Sequence, residues 1–503
     1  MTNEVLIRRL GTLIDISPDG QSPLDPRIIQ LLAPKLRYEH KTLLRGHNRY
    51  SPDGASHGMQ VESRNMYQIE EGRLVTGFGF ITTIGETLHR HGITPRYIDL
   101  SPPKDPAIYT PDWDNVRRYV NFRAKQEECL YYITQNQCGI INATMGFGKS
   151  FLFEALAHLY PRAKFDITTK SVSVAQTIVN RLTRTIPNVG FVCGNSKVGG
   201  DRVNVYTIGS AHYARGDSDF LLADEVHELM TDDASASLAK YWRYTRNFGF
   251  SGTIGARTDG ADAQLELFFG REIFKLTYPE AVALGLVVPI HVRWLPIRLG
   301  HNPAKDKSGV PKLRWGIWRN EDRNRIIAED VRRNYPDYNT QILILTATVD
   351  HAIMLWQQLP EFSLCYGESM SSDDIERYKR NNYLPPNFVE MTAGRRDMMR
   401  QQFEAGTLKR VIATDVWATG VSFDQLQVLY RTDARESEIK AGQGPARVSR
   451  LSPETNKEIG EVIDCYDAFD DGFKRKSEAR KRHYTKLGWS QDWPSGRRQI
   501  GGT

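Results

Sequence analysis

The chain has 503 residues, 40% of them hydrophobic and 25% charged, the usage of an ordinary globular protein of about two to four domains. No apolar run approaches the ~18 residues of a membrane span, and the N-terminus lacks the basic-then-apolar leader of a secretory signal. Five scattered cysteines without a C-x-x-C pair exclude a disulfide framework and a Cys-rich zinc site, and 66 Lys and Arg against 60 Asp and Glu hint at a polyanionic partner.

In chain order, the first hundred residues read as a small α+β module. Asn65 to Ile69 and Arg73 to Phe78 flank the turn Glu71-Gly72, and Thr83 to His91 has helical spacing. Gly77-Phe78-Gly79 is too little to make a phosphate loop. A proline-rich connector from Ser101 to Pro111 then interrupts any regular element. Beyond it, Gly139 to Ala143, Phe220 to Ala223 and Phe248 to Phe250 are short buried-strand candidates, and Phe151 to Tyr160 is helical. A polar, turn-rich stretch from Gly300 to Pro311 follows. Further strands are predicted at Gln341 to Leu345, Val411 to Thr414 and Val428 to Tyr430. Short apolar strands alternating with helices predict parallel sheets, here two of them. Met398-Met399 is expected to be core packing on a helix, and Tyr131-Tyr132 to be helix packing, with base stacking as the alternative. After Asp471-Gly472, the run from Lys474 to Lys486 holds seven Lys and Arg and one acid, followed by Trp489, Trp493, Arg497 and Arg498. That run is a solvated helix face or, given its aromatics, a phosphate contact through residues such as Lys474, Arg475 and Lys476.

Two segments carry chemistry. Ala143-Thr144-Met145-Gly146-Phe147-Gly148-Lys149-Ser150 fits the phosphate-binding loop, with alanine in the first glycine's place, between a predicted strand and a predicted helix. Small residues let backbone N–H groups wrap a phosphate at a helix N-terminus; Lys149 would reach the β- and γ-phosphates and Ser150 would ligate Mg²⁺. Leu221-Leu222-Ala223-Asp224-Glu225 is an apolar strand ending in two acids. Beside such a loop, Asp224 is expected to hold Mg²⁺ and Glu225 to orient the attacking water.

Asp224-Glu225-Val226-His227 resembles the DExH box of superfamily 2 helicases, and other segments keep that superfamily's order across about residues 118–470. Phe122-Arg123-Ala124-Lys125-Gln126 resembles the adenine-reading segment. Ile167 to Lys170 and Tyr206 to Ser210 resemble the strand-contacting motifs Ia and Ib, which implies Thr169, Lys170, Thr207 and Ser210 at the nucleic acid. Ser251-Gly252-Thr253 resembles motif III, which couples ATP state to nucleic-acid grip and implies Thr253, like Thr414 of a later segment, at the nucleic acid. Its continuation to Gly260, then Phe268-Phe269-Gly270 and Ala283 to Pro289, is similar to the XPB, RecG and UvsW group. Ala413-Thr414-Asp415 through Gly420 to Asp424 resembles motif V, and Gln443-Gly444-Pro445-Ala446-Arg447-Val448-Ser449-Arg450 resembles motif VI, with Ala446 in place of its usual glycine. The resemblance implies arginine fingers at Arg447 and Arg450, roles at the nucleotide for Gln443, Gly420 and Asp424, and a relay through His227.

It further implies an α/β chain of two tandem RecA-like lobes with parallel sheets, plus the N-terminal module and a basic tail, divided as 1–110, 111–298, 299–472 and 473–503. The implied function is an ATP- and Mg²⁺-dependent DNA helicase or translocase in the cytoplasm (a host's, if phage-encoded), acting on branched DNA in replication, recombination or repair. An RNA-directed DExH helicase and a branched-DNA scaffold with weak ATPase are the alternatives.

Overall fold

The computed structural model describes residues 4–43, 59–229, 232–252, 264–367, 370–417, 423–435, 444–452 and 454–493. The chain divides into two compact units, 1–277 and 278–503. Among the described residues the strands form sheets of five, eight and seven members and one hairpin.

The N-terminal sheet takes β1 (Glu4–Leu10), β2 (Leu13–Ser17), β5 (Tyr67–Glu70), β6 (Arg73–Gly77) and β7 (Thr94–Asp99) in the order β5-β6-β2-β1-β7. The hairpin pairs β3 (Arg37–Leu43) with β4 (Met59–Asn65). Alternation places Val5 and Ile7, Ile14 and Ile16 on one face, where they pack with Leu32 and with Ile84 and Leu88 of the helix Ile81–Arg90. The expected turn holds, with Glu71 at φ 50° and Gly72 at φ 79°, the backbone that a two-residue hairpin turn requires.

This module is bolted to the following sheet. A Cβ built on Gly77 would lie 2.2 Å from the Leu267 carbonyl oxygen, and one on Gly79 would lie 1.8 Å from that of Glu266. The Gly-Phe-Gly stretch is thus a close-packing element against the helix Gln264–Phe269. Arg271 grips Glu86 at 2.6 and 2.9 Å, and Thr83 donates to Glu266 at 2.6 Å.

The eight-stranded sheet contains β8 (Cys138–Ala143), β9 (Phe165–Thr169), β10 (Gly190–Cys193), β11 (Ser196–Val198), β12 (Val203–Thr207), β13 (Phe220–Asp224), β14 (Arg246–Ser251) and β15 (Glu272–Leu276). Their order is β11-β10-β12-β9-β13-β14-β8-β15, parallel except for β11. The second unit holds β16 (Ile290–Ile297), β17 (Ile342–Leu345), β18 (Ser363–Cys365), β19 (Arg410–Ala413), β20 (Val428–Arg431), β21 (Gly460–Asp467) and β22 (Ser490–Asp492). They form a parallel sheet in the order β18-β19-β17-β20-β21-β16-β22. The buried residues of β13 and β17 are continuous apolar runs, as strands covered on both faces must be.

Two expectations change here. Residues 290–297, expected before a boundary at 298, form a strand of the second sheet, paired with β21 and β22. The basic run is no free tail: it is the helix Asp471–Lys486, whose Phe473, Ser477, Arg480 and Tyr484 are buried, and β22 follows it into the sheet. Arg480 donates two hydrogen bonds to Asp464, each 2.9 Å, with both side chains 1% exposed. Trp489 stacks on Tyr484, and Trp493 lies on Trp294 and Tyr466, so these aromatics serve the core. Met398, expected in the core, is exposed, as are Tyr131 and Tyr132, although Tyr132 touches Phe274.

Breaking a buried ion pair strands one charge, so Arg480→Ala should destabilise the second unit by about 3–5 kcal/mol. The exposed neighbour Arg482 should cost less than about 0.5 kcal/mol on the same change. Urea unfolding of both variants measures the contrast, and equal midpoints would mean the helix is not docked.

Candidate functional site

The carboxyl ends of β8, β13 and β14 meet at one edge of the eight-stranded sheet, where an open α/β sheet offers its binding crevice. From β8 the chain turns through Thr144 to Gly148 and enters the helix Lys149–Leu159. Gly146 and Gly148 have φ of 87° and 94°, which β-carbon-bearing residues avoid, and this lets the loop curl around the helix N-terminus. The loop is braced from Phe122-Arg123 and the helix Gln126–Thr134. Arg123 donates to the carbonyl of Gly146 at 2.7 Å, and buried Gln126 donates to that of Phe147 at 2.7 Å while accepting the Arg123 N–H at 2.8 Å. Phe122 meets Phe151 edge-on at 6.0 Å. The proposed adenine-reading residues therefore also support the phosphate loop.

From the end of β13, Glu225 adopts a left-handed backbone, φ 44°. Its carboxylate receives Lys149 Nζ at 2.9 Å and lies 3.5 Å from His227 Nδ1. His227, 1% exposed, shares a 2.7 Å hydrogen bond with Ser251 Oγ at the end of β14. Gly252 completes the frame: a Cβ there would come within 2.9 Å of the Ala143 carbonyl oxygen. The segments resembling the DExH box and motif III are thus joined through His227 and Ser251.

The two acids differ electrically. Burial, then the adjacent Glu225 carboxylate, pushes the Asp224 carboxyl above the usual range. Glu225 stays below it, against its own desolvation, through Lys149 and then His227. A cation beside Asp224 would offset its unfavourable burial. Asp224 and Ser150 offer hard oxygen donors, and two protein ligands suit Mg²⁺, which keeps waters and substrate phosphates in its shell. Among the described residues no cluster of three or more His, Cys, Asp or Glu could hold a metal.

Of the expected nucleic-acid contacts in this unit, Thr169, Thr207 and Ser210 have buried side chains, Thr207 and Ser210 bonding each other at 3.1 Å. Lys170 alone of the four is exposed. Lys197, which no motif singled out, stands over the Tyr213 ring at 4.6 Å and reaches Ser210 at 3.2 Å. Only the hairpin of β10 and β11 brings it there.

In the second unit, buried Thr414 donates its N–H to Cys365 at 3.2 Å. Phe403, Trp417 and Phe423 pack their rings within 5.3 Å and pin both ends of the segment that resembles motif V. Pro445–Ser449 forms a short 3-10 turn despite Ala446. Arg447 is buried, and burial, then Arg450, lowers its pKa to about 9. Arg450 pairs with Asp424 at 3.2 Å, and Lys474, Arg475 and Lys476 lie in the first turns of the C-terminal helix. Thr253, Gly420 and Gln443 lie outside the described residues, as do Arg497 and Arg498. Among the described residues no helix is long and apolar enough to cross a membrane.

No family model and no curated protein matches the chain by sequence. Solved structures do match. Yeast (S. cerevisiae) Dbp5 bound to RNA and ADP BeF3 aligns over 78% of this chain and 96% of its own, at 14% identity and TM-score 0.53. LlaBIII, an ATP-dependent type ISP restriction-modification enzyme bound to DNA, aligns over 81% of this chain and 34% of its own, at 13% identity and TM-score 0.50. T4 UvsW aligns over 97% and 98%, at 14% identity and TM-score 0.40. At such identities the likeness is one of fold alone: the chain shares with these structures an α/β architecture of two RecA-like units in succession.

Proposed function

We propose that the chain is an ATP-dependent DNA translocase or helicase that remodels branched DNA. The observation that carries the reading is the contact of Lys149 with Glu225 beside Asp224, at the mouth of a glycine-turned phosphate loop. Dbp5 and LlaBIII are bound to RNA and to DNA respectively, which supports a nucleic-acid substrate. The segments after Gly252, similar to those of the XPB, RecG and UvsW group, favour DNA.

In this reading Lys149 exchanges the Glu225 carboxylate for the β- and γ-phosphate oxygens of ATP. The freed carboxylate, more basic without Lys149 beside it, then accepts a proton from the attacking water. His227 reports the position of Glu225 to Ser251. Ser150 and Asp224 would hold Mg²⁺, which supplies positive charge against the developing negative charge on the phosphoryl oxygens. Arg447 and Arg450, in the segment that resembles motif VI, are assigned cationic stabilisation of the transferring phosphoryl group. Lys170 and Lys197 contact the strand, whose grip varies as the nucleotide turns over.

ATP hydrolysis measured against single-stranded, duplex, forked and four-way DNA and matching RNAs tests the reading. Stimulation greatest with branched DNA is expected; equal stimulation by RNA would shift it to the RNA-directed class. Lys149→Ala should abolish turnover and leave DNA binding largely intact. Glu225→Gln should lower kcat by about 10²–10⁴ while ATP binds at least as tightly, because Lys149 loses its competing carboxylate. Normal turnover in either variant contradicts the site.

Arg447→Ala should lower kcat by about 10³ or more with a smaller change in ATP affinity. Steady-state kinetics showing an unchanged kcat would move the finger elsewhere.

The N-terminal module is assigned to substrate shape, since phosphate-tracking lobes read little beyond backbone. Removal of residues 1–110 should erase the preference for forked over single-stranded DNA and spare strand-stimulated ATPase. The truncated chain uncovers apolar Leu267, so cooperative melting must accompany the ranking. An unchanged ranking by a folded truncation refutes the assignment.

A further inference from the structure

The stretch 300–318, polar and turn-rich in sequence, is a built surface element of the second unit. The helix Gly309–Leu313 runs into a π-helical turn, Arg314–Trp318, a geometry that recurs at functional sites. Its inner side is packed: Ala304 and Ile317 join Phe473 and Ala434 in one buried cluster. A Cβ on Gly316 would sit 2.4 Å from the Phe473 ring. Asp470, which caps the basic helix, accepts Asn302 at 3.0 Å and pairs with Lys312 at 2.8 Å. The element and the first turn of that helix therefore form one surface.

The outer side is cationic and aromatic. Trp315 is 45% exposed although its two successors are buried or half-buried, so packing of Gly316 and Ile317 holds the indole outward. Lys305, Lys307, Arg314 and Arg475 are exposed as well. Across 301–318 and 470–476 seven Lys and Arg face three acids (Asp306, Asp470 and Asp471), and Asp470 is already engaged with Lys312. Both segments leave the carboxyl ends of parallel strands, β16 and β21, the same sheet edge from which β19 leads to Thr414 and β20 toward Arg447.

We infer that Trp315 with Lys305, Lys307, Arg314 and Arg475 forms a docking surface for single-stranded nucleic acid, a base stacking on the indole and phosphates lying against the cations. Charge complementarity selects a polyanion, and a solvent-facing indole selects an unpaired base, whose face is free to stack. The inference rests on the nucleic-acid reading above and adds to it a contact outside every helicase-like motif.

The test is fluorescence anisotropy of labelled oligothymidylate, oligouridylate and an abasic deoxyribose strand, titrated with the full chain over a series of salt concentrations. Trp315→Ala should weaken oligothymidylate binding about 5- to 100-fold and Trp315→Phe far less, with wild type and Trp315→Ala equal on the abasic strand. The double variant Lys305→Glu with Lys307→Glu should reduce the slope of log affinity against log salt by about 0.7 per lost contact. It also decides the matter should Trp315→Ala not fold. Wild-type affinity and slope in folded variants overturn the surface and leave the nucleic-acid reading standing. A Trp315→Ala loss that persists on the abasic strand overturns the stacking role. Failure of the wild type to bind either base-bearing strand overturns both.

Discussion

The ion pair between Lys149 and Glu225 is the contact on which the candidate site is organised. It joins the helix that follows β8 to the left-handed residue that follows β13. Through His227 it extends to Ser251 on β14, the strand lying between those two in the sheet. Ser251 ends β14 and Glu225 and His227 closely follow β13, so their geometry is set by the sheet register, while the glycine-turned loop and its helix bring Lys149 to them. The pair also separates the acids. Lys149 keeps Glu225 ionised, whereas buried Asp224 beside it is pushed toward protonation. Two adjacent carboxyls with opposed environments are suited to different tasks, one to a water and one to a cation.

The same register demands close backbone contact, which explains the glycines around the site. Gly252 lets the end of β14 lie against the Ala143 carbonyl, where the phosphate loop begins. On the far side of the sheet, Gly77 and Gly79 let the N-terminal module sit against Glu266 and Leu267. Arg9 reinforces that junction by stacking on Phe78 at 3.8 Å and donating to Gln137 at 2.6 Å, next to the start of β8. The module is thereby coupled to the strand that leads into the phosphate loop, a more direct connection than an accessory domain on a linker would have.

What was legible in the sequence follows from how local the determining interactions are. The strands β8, β13, β14, β17, β19 and β20 announce themselves as short apolar runs, and the phosphate loop carries its own turn chemistry in Gly146 and Gly148. The side-chain burial of Thr169, Thr207 and Ser210 was not legible, because it depends on which neighbours cover the strand ends. Nor was Lys197, placed by a hairpin with no motif. The basic run misled for a different reason. Its spacing hides that one of its seven Lys and Arg, Arg480, turns inward to a partner on β21. A composition break at Gly300 likewise cannot show that the preceding strand pairs with one more than 160 residues later.

Burying Arg480, Asp464, Arg431 and Tyr484 together is costly, and an apolar cluster of the same volume would often be at least as stable. What the polar cluster supplies is direction. Tyr484 donates to Asp464 at 2.8 Å and accepts from Arg431 at 3.0 Å, and Arg431 in turn donates to Asp433 at 3.0 Å and to the Arg435 carbonyl at 2.7 Å. Arg435 reaches back to the carbonyl of Ala347, just beyond β17, at 2.8 Å. Each bond has one acceptable geometry, so the C-terminal helix fixes the chain where it leaves β20 on the way to Arg447. Nonpolar packing would tolerate sliding at this point. The role proposed for Arg447, in the following turn, would not tolerate it, since charge stabilisation depends on sub-ångström placement of the donor. The helix that looked like a tail in sequence is therefore the buttress of the second unit's candidate catalytic segment.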